Sequence, residues 1–196
     1  IVMYLDDPSD HGLITWTNRT RMLTNQIIRS RMGIVGEKPQ PGEPVLVCKN
    51  VAGGRALNGE VVTIADIKSD ERVGPVPTYR IRTTDDRTLL VHGWSWNGEP
   101  PYFEDKADWK EYRRAVDARF RDFAWGDVPS DEAALVEPIP ITYGYALTAH
   151  KAQGSEYRRV TVFMPAMDGA SSHFRKLTEL PDGTKTSAQP RHPRMP

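Results

Sequence analysis

The sequence has a single cysteine, Cys48, among its 196 residues. One thiol excludes an internal disulfide and a zinc site made of several thiolates. It also favours a reducing compartment, so we expect a cytoplasmic protein. No uncharged apolar run approaches the roughly 18 residues that a membrane-spanning helix needs, so no membrane partner is expected. The chain shows no signal peptide and begins at Ile1 rather than at a methionine, and we expect it to be a piece of a larger protein.

An excess of one charge sign is also lacking, because 26 Lys and Arg residues balance 26 Asp and Glu residues. Proteins that bind nucleic acids usually have a basic excess, so this balance argues mildly against that class. The charges are unevenly distributed, however, since residues 19–31 contain four arginines and no acidic residue. Such a basic stripe is compatible with a polyanionic ligand and equally with a solvated helix face.

The middle of the chain is rich in β-branched residues, which occur in four short runs separated by turn-forming pairs. Several short strands at close spacing predict a small β-barrel rather than a parallel sheet. The runs span residues 45–48, 61–67, 78–83 and 89–92, and the pairs are Asn58-Gly59, Gly74-Pro75 and Asp85-Asp86.

Both flanks of this β-rich region alternate between strand and helix patterns, which predicts an α/β arrangement around it. The last predicted strand is continuously apolar apart from one threonine, so we expect it to be buried. The predicted strands are 13–16, 139–147 (interrupted at Pro140 and Gly144) and 160–163; the predicted helices are 19–32 and 108–123, with a helical turn at 150–153.

The most informative segment is residues 145–156, which read YALTAHKAQGSE. A strand that ends at Thr148 would expose its hydroxyl group and the first N–H groups of a helical turn, which suits a phosphate. His150 and Lys151 add hydrogen-bond donors, Gly154 lets a ligand approach the backbone, and Glu156 could accept hydrogen bonds from a ribose. An ordinary strand–helix junction with a capping threonine and a terminating glycine fits the same residues.

Two other segments contain candidate binding residues. Arg21, in the first turn of its predicted helix, could reach outward to a phosphate at a domain edge or could be a solvated arginine. Lys49-Asn50, followed by residues 57–60, most simply forms a β-hairpin turn. Three tryptophans could stack on unpaired bases, although we favour a role in covering the hydrophobic side of the β-rich region. They are Trp94, Trp96 and Trp109.

Together, and in this order, the three segments resemble the motifs of superfamily 1B DNA helicases of the RecD/TraI kind. The family's motif V, Y-A-L-T-x-H-K-x-Q-G-S-E, matches residues 145–156. Its K-N segment and the following F-N-G-D segment, which leads into an SH3-like insertion, correspond to Lys49-Asn50 and residues 57–60. Its motif IV, T-N-x-x-R-x-x-x-N-x-x-I-R, is matched by Thr17, Asn18, Arg21, Asn25, Ile28 and Arg29.

The resemblance implies an α/β fold, namely a partial second RecA-like motor domain interrupted by a small SH3-like β-barrel. The RecA-like parts would be residues 1–44 and 136–165, and residues 45–135 would be the insertion with a helical elaboration. Apart from the resemblance, the polar composition of residues 166–196 predicts a flexible tail. ATP and Mg²⁺ would bind between this domain and a first motor domain, with Arg21 as the catalytic residue at the γ-phosphate. By the same resemblance, ATP would contact Arg21, Gln153, Gly154 and Glu156, and single-stranded DNA would contact Asn18, Asn50, Asn58, Thr148, His150 and Lys151.

Other parts of the family's motor are missing from this sequence. Gly183-Thr184-Lys185-Thr186 and Asp131-Glu132 resemble the P-loop and the magnesium motif only superficially, and motif VI does not follow residues 160–163. We therefore expect a helicase fragment that holds no metal and hydrolyses no ATP alone. Its partners would be single-stranded DNA and the first motor domain of the same protein. The alternatives are a RecD-like subunit of a helicase–nuclease, with nuclease subunits as partners, and a non-catalytic nucleic-acid-binding module.

Overall fold

The computed structural model describes residues 11–51, 56–124, 135–153 and 155–163, without the side chains of residues 122–124. The predictions for Asp131-Glu132, Gly154, residues 183–186 and the polar tail concern residues outside this described part. Within it, the chain is a mixed α/β structure, as the sequence predicts. Its elements are β1 (His11–Thr15), α1 (Asn18–Arg31), β2 (Pro44–Val47), β3 (Val61–Val73), β4 (Val76–Thr83), β5 (Thr88–His92), α2 (Lys106–Ala124), β6 (Ile141–Tyr143), β7 (Ala146–Thr148) and β8 (Arg159–Phe163).

Three strands from the two ends of the described chain form a parallel sheet in the order β7-β1-β8. Helix α1 packs against β1 and β7. The expectation that the last strand is buried is wrong, because Val160, Val162 and Phe163 are 47%, 47% and 45% exposed. Among the described strands, β8 pairs only with β1, so it lies at the edge of the sheet and its side chains have neighbours on one side only.

The β-rich middle forms a five-stranded antiparallel sheet in the order β5-β4-β3-β2-β6. The expected strands and turns are confirmed, and Gly59 and Asp86 have the positive φ angles that tight turns need, +98° and +64°. The expected barrel is not closed by the described strands. One bridge between Val91 and Ile139 joins the two edges of the sheet, with Ile139 N–H donating to the Leu90 carbonyl at 3.0 Å.

The predicted strand over residues 139–147 is two strands in two different sheets. β6 pairs with β2 in the antiparallel sheet, and β7 pairs with β1 in the parallel sheet. The chain changes sheet at Gly144, whose N–H donates to the Pro44 carbonyl at 2.8 Å. A Cβ atom on Gly144 would lie 3.0 Å from a methyl group of Val61, so a side chain has little room at this crossing.

Helix α1 begins and ends as the sequence predicts. The Thr17 hydroxyl accepts the Thr20 N–H at 3.1 Å and caps the helix, and Gly33 follows its end with a φ angle of +73°. The helical spacing of the apolar residues does not mark the inward face, however. Ile28 is fully buried, whereas Leu23 is 55% exposed. The buried residues of α1 are mostly polar, namely Thr20, Arg21, Thr24, Asn25 and Arg29 besides Ile28.

A charged network lies under the C-terminal half of α1. The Arg29 guanidinium donates to the Glu43 carboxylate from Nε at 2.7 Å and from Nη2 at 3.1 Å. Glu43 is 2% exposed and also accepts the Gln40 N–H at 2.7 Å and the Tyr145 hydroxyl at 2.9 Å. Four donors satisfy this buried carboxylate, and they come from α1, the loop before β2 and the segment before β7.

Helix α2 forms over the predicted region, with two residues of its apolar face in a small core. Tyr112 and Val116 are buried against Val73 and Val76 at the β3–β4 turn. Two further residues of the predicted face are only half-covered, since Trp109 is 47% and Phe120 is 43% exposed. The side chain of Phe123 lies outside the described part. The helix therefore covers one end of the hairpin with part of its apolar face.

Glu43→Ala should lower the free energy of unfolding by about 3–5 kcal/mol, because it leaves the buried Arg29 charge without its partner. Urea unfolding followed by circular dichroism measures the change. Lys68→Ala is the control, since the Lys68 side chain is 79% exposed beside Asp66 and its loss should cost less than about 0.5 kcal/mol. Equal losses for the two variants would contradict the role given to Glu43.

The stability of the fold should also fall in mild acid because of His92, the last residue of β5. Burial lowers the pKa of His92 to about 4, because the charged imidazolium would lose its hydration. An unfolded histidine takes up its proton near pH 6.5, so the unfolded state gains protons first as the pH falls. We expect the free energy of unfolding to decrease by about 3 kcal/mol between pH 6.5 and pH 4, at about 1.4 kcal/mol per unit.

Urea unfolding of His92→Gln across the same pH range tests this expectation, since the variant should lose most of that pH dependence. His150→Gln, which replaces an exposed imidazole, is the matched control and should keep it. A pH dependence that is the same in His92→Gln and in the original chain would overturn the assignment.

Candidate functional site

The carboxyl ends of β1 and β7 meet at one edge of the parallel sheet. Thr15 and Thr148 are register partners, and the Thr15 carbonyl accepts the Ala149 N–H at 3.0 Å just beyond the strands. The Thr15 hydroxyl also donates to the Leu147 carbonyl at 3.2 Å. Ligands of open α/β sheets bind outside the carboxyl ends of the strands, so this edge is where a site is expected.

A cleft of about 380 Å³ opens at this edge. Its lining brings together three of the residues that the sequence analysis assigned to DNA, namely Asn18, Thr148 and His150. Trp16 and Ala149 complete the lining. The Thr148 side chain is largely buried, whereas Asn18 and His150 are exposed. Segments from the beginning and the end of the described chain therefore share one cleft.

The electrostatics of the cleft favour an anion. Asn18 is the first residue of α1, so the positive end of the helix dipole lies at the cleft. The first turn of α1 contains no acidic residue that would neutralise this end. Just beyond Thr148, the turn over residues 149–153 adds the imidazole of His150 and the ammonium group of Lys151. This arrangement is suited to a phosphate.

The other three candidate DNA-binding residues form a second group next to the cleft. Lys151 Nζ donates to Asn58 Oδ1 at 2.5 Å, and Asn58 N–H donates to Asn50 Oδ1 at 2.8 Å. Residues 57–60 also form the turn that the sequence predicts, in which Glu60 N–H donates to the Leu57 carbonyl at 3.0 Å. Because Lys151 follows His150 directly, this group continues the cleft onto the antiparallel sheet.

Arg21 differs from the expectation that its side chain reaches outward. It is 5% exposed and donates from Nη1 to the Thr142 hydroxyl at 3.0 Å and from Nη2 to the Asn97 carbonyl at 3.1 Å. Burial lowers its pKa, an effect that Cys48 and Glu99 partly oppose. The side chain turns inward because it lies on the polar face that α1 presents to the antiparallel sheet. A contact between Arg21 and a γ-phosphate stays a prediction.

The remaining candidates for ATP lie at the last residue of the turn and just after it. Gln153 and Glu156 are exposed on either side of Gly154, which is outside the described part. Their side chains are accessible to a ligand. A nucleotide site that they share with Arg21 stays a prediction.

Sequence reasoning missed Trp16 as a site residue, although its indole is 69% exposed and lines the cleft. The signal was available, since an aromatic residue directly follows a strand and precedes the motif IV match. Of the tryptophans that were considered, Trp96 packs on the core beside Tyr79 with ring centroids 5.4 Å apart, which confirms the core interpretation for it. Trp94 and Trp109 are 44% and 47% exposed and contact Phe103.

Two features are absent from the described residues. They contain no cluster of three or more His, Cys, Asp or Glu side chains that could hold a metal ion. They also contain no helix that is long and apolar enough to cross a membrane. Comparison with models of known protein families gave no match to this chain, and comparison with curated protein sequences gave none either.

Arg21→Ala should lower the free energy of unfolding by about 2–3 kcal/mol, because it removes two hydrogen bonds made by a buried charged group. Arg19→Ala is the matched control on the same helix, and its exposed side chain should contribute less than about 0.5 kcal/mol. Thermal or urea unfolding of both variants measures the difference. If both variants were as stable as the original chain, Arg21 would be a surface arginine after all.

Proposed function

We propose that this chain is part of the second motor domain of an ATP-dependent 5′–3′ DNA helicase of the RecD/TraI-like superfamily 1B, and that it holds single-stranded DNA. The observation that carries the proposal is the convergence of Asn18, Thr148 and His150 on one cleft. These residues come from the motif IV and motif V matches, which lie far apart in the sequence. The proposal assigns both motifs to one DNA strand, so it requires that they lie at the same cleft, and the paired strands β1 and β7 bring them there.

The connectivity supports the finer fold assignment. The chain leaves the parallel sheet after α1, builds the antiparallel sheet, and returns through Gly144 to β7 beside β1. This is the order expected of a RecA-like domain that is interrupted by an SH3-like insertion. The bridge between Val91 and Ile139 is the contact that such a small barrel would use to close.

The proposed DNA path runs from the cleft to the second group. Phosphates would accept hydrogen bonds from the Thr148 hydroxyl and from His150, near the positive end of α1. The strand would then pass Lys151, whose ammonium group lies over Asn58, and continue toward Asn50. Contacts to phosphate fix the position of a strand without reading its bases, so binding would be independent of sequence.

ATP and Mg²⁺ would bind between this chain and a first motor domain, which would supply the P-loop. In this chain, Gln153, Gly154 and Glu156 would border the nucleotide. Gln153 and Glu156 are exposed, as a contact with a nucleotide requires. Arg21 would have to leave Thr142 and Asn97 before it could reach a phosphate. A RecD-like subunit with nuclease partners would use the same residues in the same way.

A non-catalytic nucleic-acid-binding module is the second candidate. The observation that favours it is the burial of Arg21, which is held by two hydrogen bonds and is not presented to a nucleotide. Such a module would keep the cleft and the Lys151 group but would need neither Gln153 nor Glu156. The two candidate functions therefore differ in whether they require Gln153 and Glu156.

Thr148→Ala and His150→Ala should each weaken the binding of fluorescent oligo-dT to the chain about fivefold, which corresponds to the loss of about 1 kcal/mol from one phosphate contact. The loss should be the same on a mixed-sequence oligonucleotide, because the contact is to phosphate. Fluorescence anisotropy measures both affinities, and urea unfolding confirms that the variants are folded.

Thr84→Ala, at an exposed threonine in the turn after β4, is the control for this measurement and should bind DNA like the original chain.

In the full-length protein, Glu156→Ala should raise the ATP concentration needed for DNA-stimulated turnover while leaving DNA affinity unchanged. Unchanged turnover would favour the binding module over the motor. Unchanged DNA binding by Thr148→Ala and His150→Ala would remove the proposed DNA site.

A further inference from the structure

Trp16 is an exposed aromatic residue on a rigid backbone. The residue before it, Thr15, ends β1 and is fixed by hydrogen bonds to the Leu147 carbonyl and the Ala149 N–H. The residue after it, Thr17, caps α1 through the Thr20 N–H. The backbone on both sides of the indole is therefore held in place, although the side chain is 69% exposed.

The indole of Trp16 makes neither a ring contact nor a hydrogen bond within the described part of the chain. Its ring stacks on no described aromatic residue, and its N–H donates to no described acceptor. A tryptophan stabilises a fold mainly when its indole is buried. An indole that is exposed at the carboxyl edge of a sheet is therefore available for a ligand. Its position in the cleft, beside Thr148 and His150, makes the cleft the place where that ligand would bind.

The chemistry of the cleft indicates which ligand fits. Its lining combines the π surface of the Trp16 indole with hydrogen-bond donors near the positive end of α1. A ligand that satisfies both has a planar ring and a phosphate joined by a short linker. A nucleotide unit of a single strand has this form, because its base can stack on an indole while its phosphate meets the donors.

We propose that Trp16 is a stacking residue for one unpaired base of single-stranded nucleic acid, and that it positions the strand in the cleft. The proposal rests on the proposed function and adds a base contact to the phosphate contacts. Stacking tolerates every base, since every base has a π face, so Trp16 contributes affinity without sequence preference. A paired base is already stacked in its duplex, so the same contact favours single strands over duplexes.

Trp16→Ala should weaken the binding of oligo-dT at least fivefold, the loss expected from about 1 kcal/mol at the lower end of what a stacked base contributes. Trp16→Phe should recover part of the affinity, because phenylalanine keeps a π face. Trp16→Ala should leave duplex binding unchanged, and its unfolding curve should match that of the original chain, because the indole is exposed. Tyr102→Ala, at a tyrosine that is 72% exposed outside the cleft, is the matched control and should bind normally.

Oligonucleotides that carry one abasic position at successive sites separate stacking from any other effect of the substitution. With the original chain, one position should weaken binding when its base is absent. With Trp16→Ala, that position should no longer matter, because the base has lost its partner.

The outcomes distinguish this proposal from the proposed function. If Thr148→Ala weakens DNA binding while Trp16→Ala binds normally and the abasic scan is flat, the cleft holds phosphate only and the stacking proposal is overturned. If the original chain binds no single-stranded DNA, both proposals fall. If Trp16→Ala weakens single strands and duplexes equally, the indole acts on the shape of the cleft and not on a base.

Discussion

The buried polar face of α1 is the constraint on which the rest of the described structure depends. Asn25 is 1% exposed, and its amide group bonds the backbone at the end of β6 and at the start of β7. Its Oδ1 accepts the Ala146 N–H at 2.7 Å, and its Nδ2 donates to the Tyr143 carbonyl at 3.0 Å. β7 is an edge strand of the parallel sheet, so the asparagine side chain takes the place of a neighbouring strand and satisfies groups that would otherwise lack partners.

This polar face also joins the two sheets. Asn25 bonds the carbonyl of Tyr143 at the end of β6 and the N–H of Ala146 at the start of β7, and Arg21 bonds the Thr142 hydroxyl. The crossing at Gly144 is thus held from one helix. Because the hydrogen bonds are buried and each has one geometry, they fix the relation between the sheets more specifically than apolar contacts alone. The fixed crossing places Lys151 within reach of Asn58.

Local patterns in the sequence were sufficient to predict most elements, since helical periodicity, strand alternation and turn residues act within a few positions. They could not predict which side of α1 is buried, because Ile28 is the only apolar residue among those that face inward and tertiary contacts select the polar ones. The division of residues 139–147 between two sheets was also hidden. Pro140 and Gly144 mark interruptions, but the choice of partner strand depends on residues far away in the sequence.

The candidate site shows the same division between local and distant information. The motif matches identified Asn18, Thr148 and His150 without showing that they meet. The position of Trp16 between a strand and the motif IV match was a signal, but only the folded chain shows that its indole is exposed. Arg21 illustrates the opposite error. Its position in the first turn of α1 suggested an outward side chain, whereas the antiparallel sheet lies against that face and supplies Thr142 and Asn97 as partners.

The turn after β7 gives the proposed site a means of connecting its two ends. The Thr148 carbonyl accepts the N–H groups of Lys151 and Ala152, at 2.9 and 3.0 Å, so the turn is anchored on the residue that lines the cleft. A DNA phosphate bound by Thr148 and a nucleotide bound after Ala152 would each contact residues next to these two hydrogen bonds. Any movement of the turn would then change the position of His150 and Lys151 together. If the proposed function holds, this short hydrogen-bonded turn is the element through which a DNA contact and a nucleotide contact would be coupled.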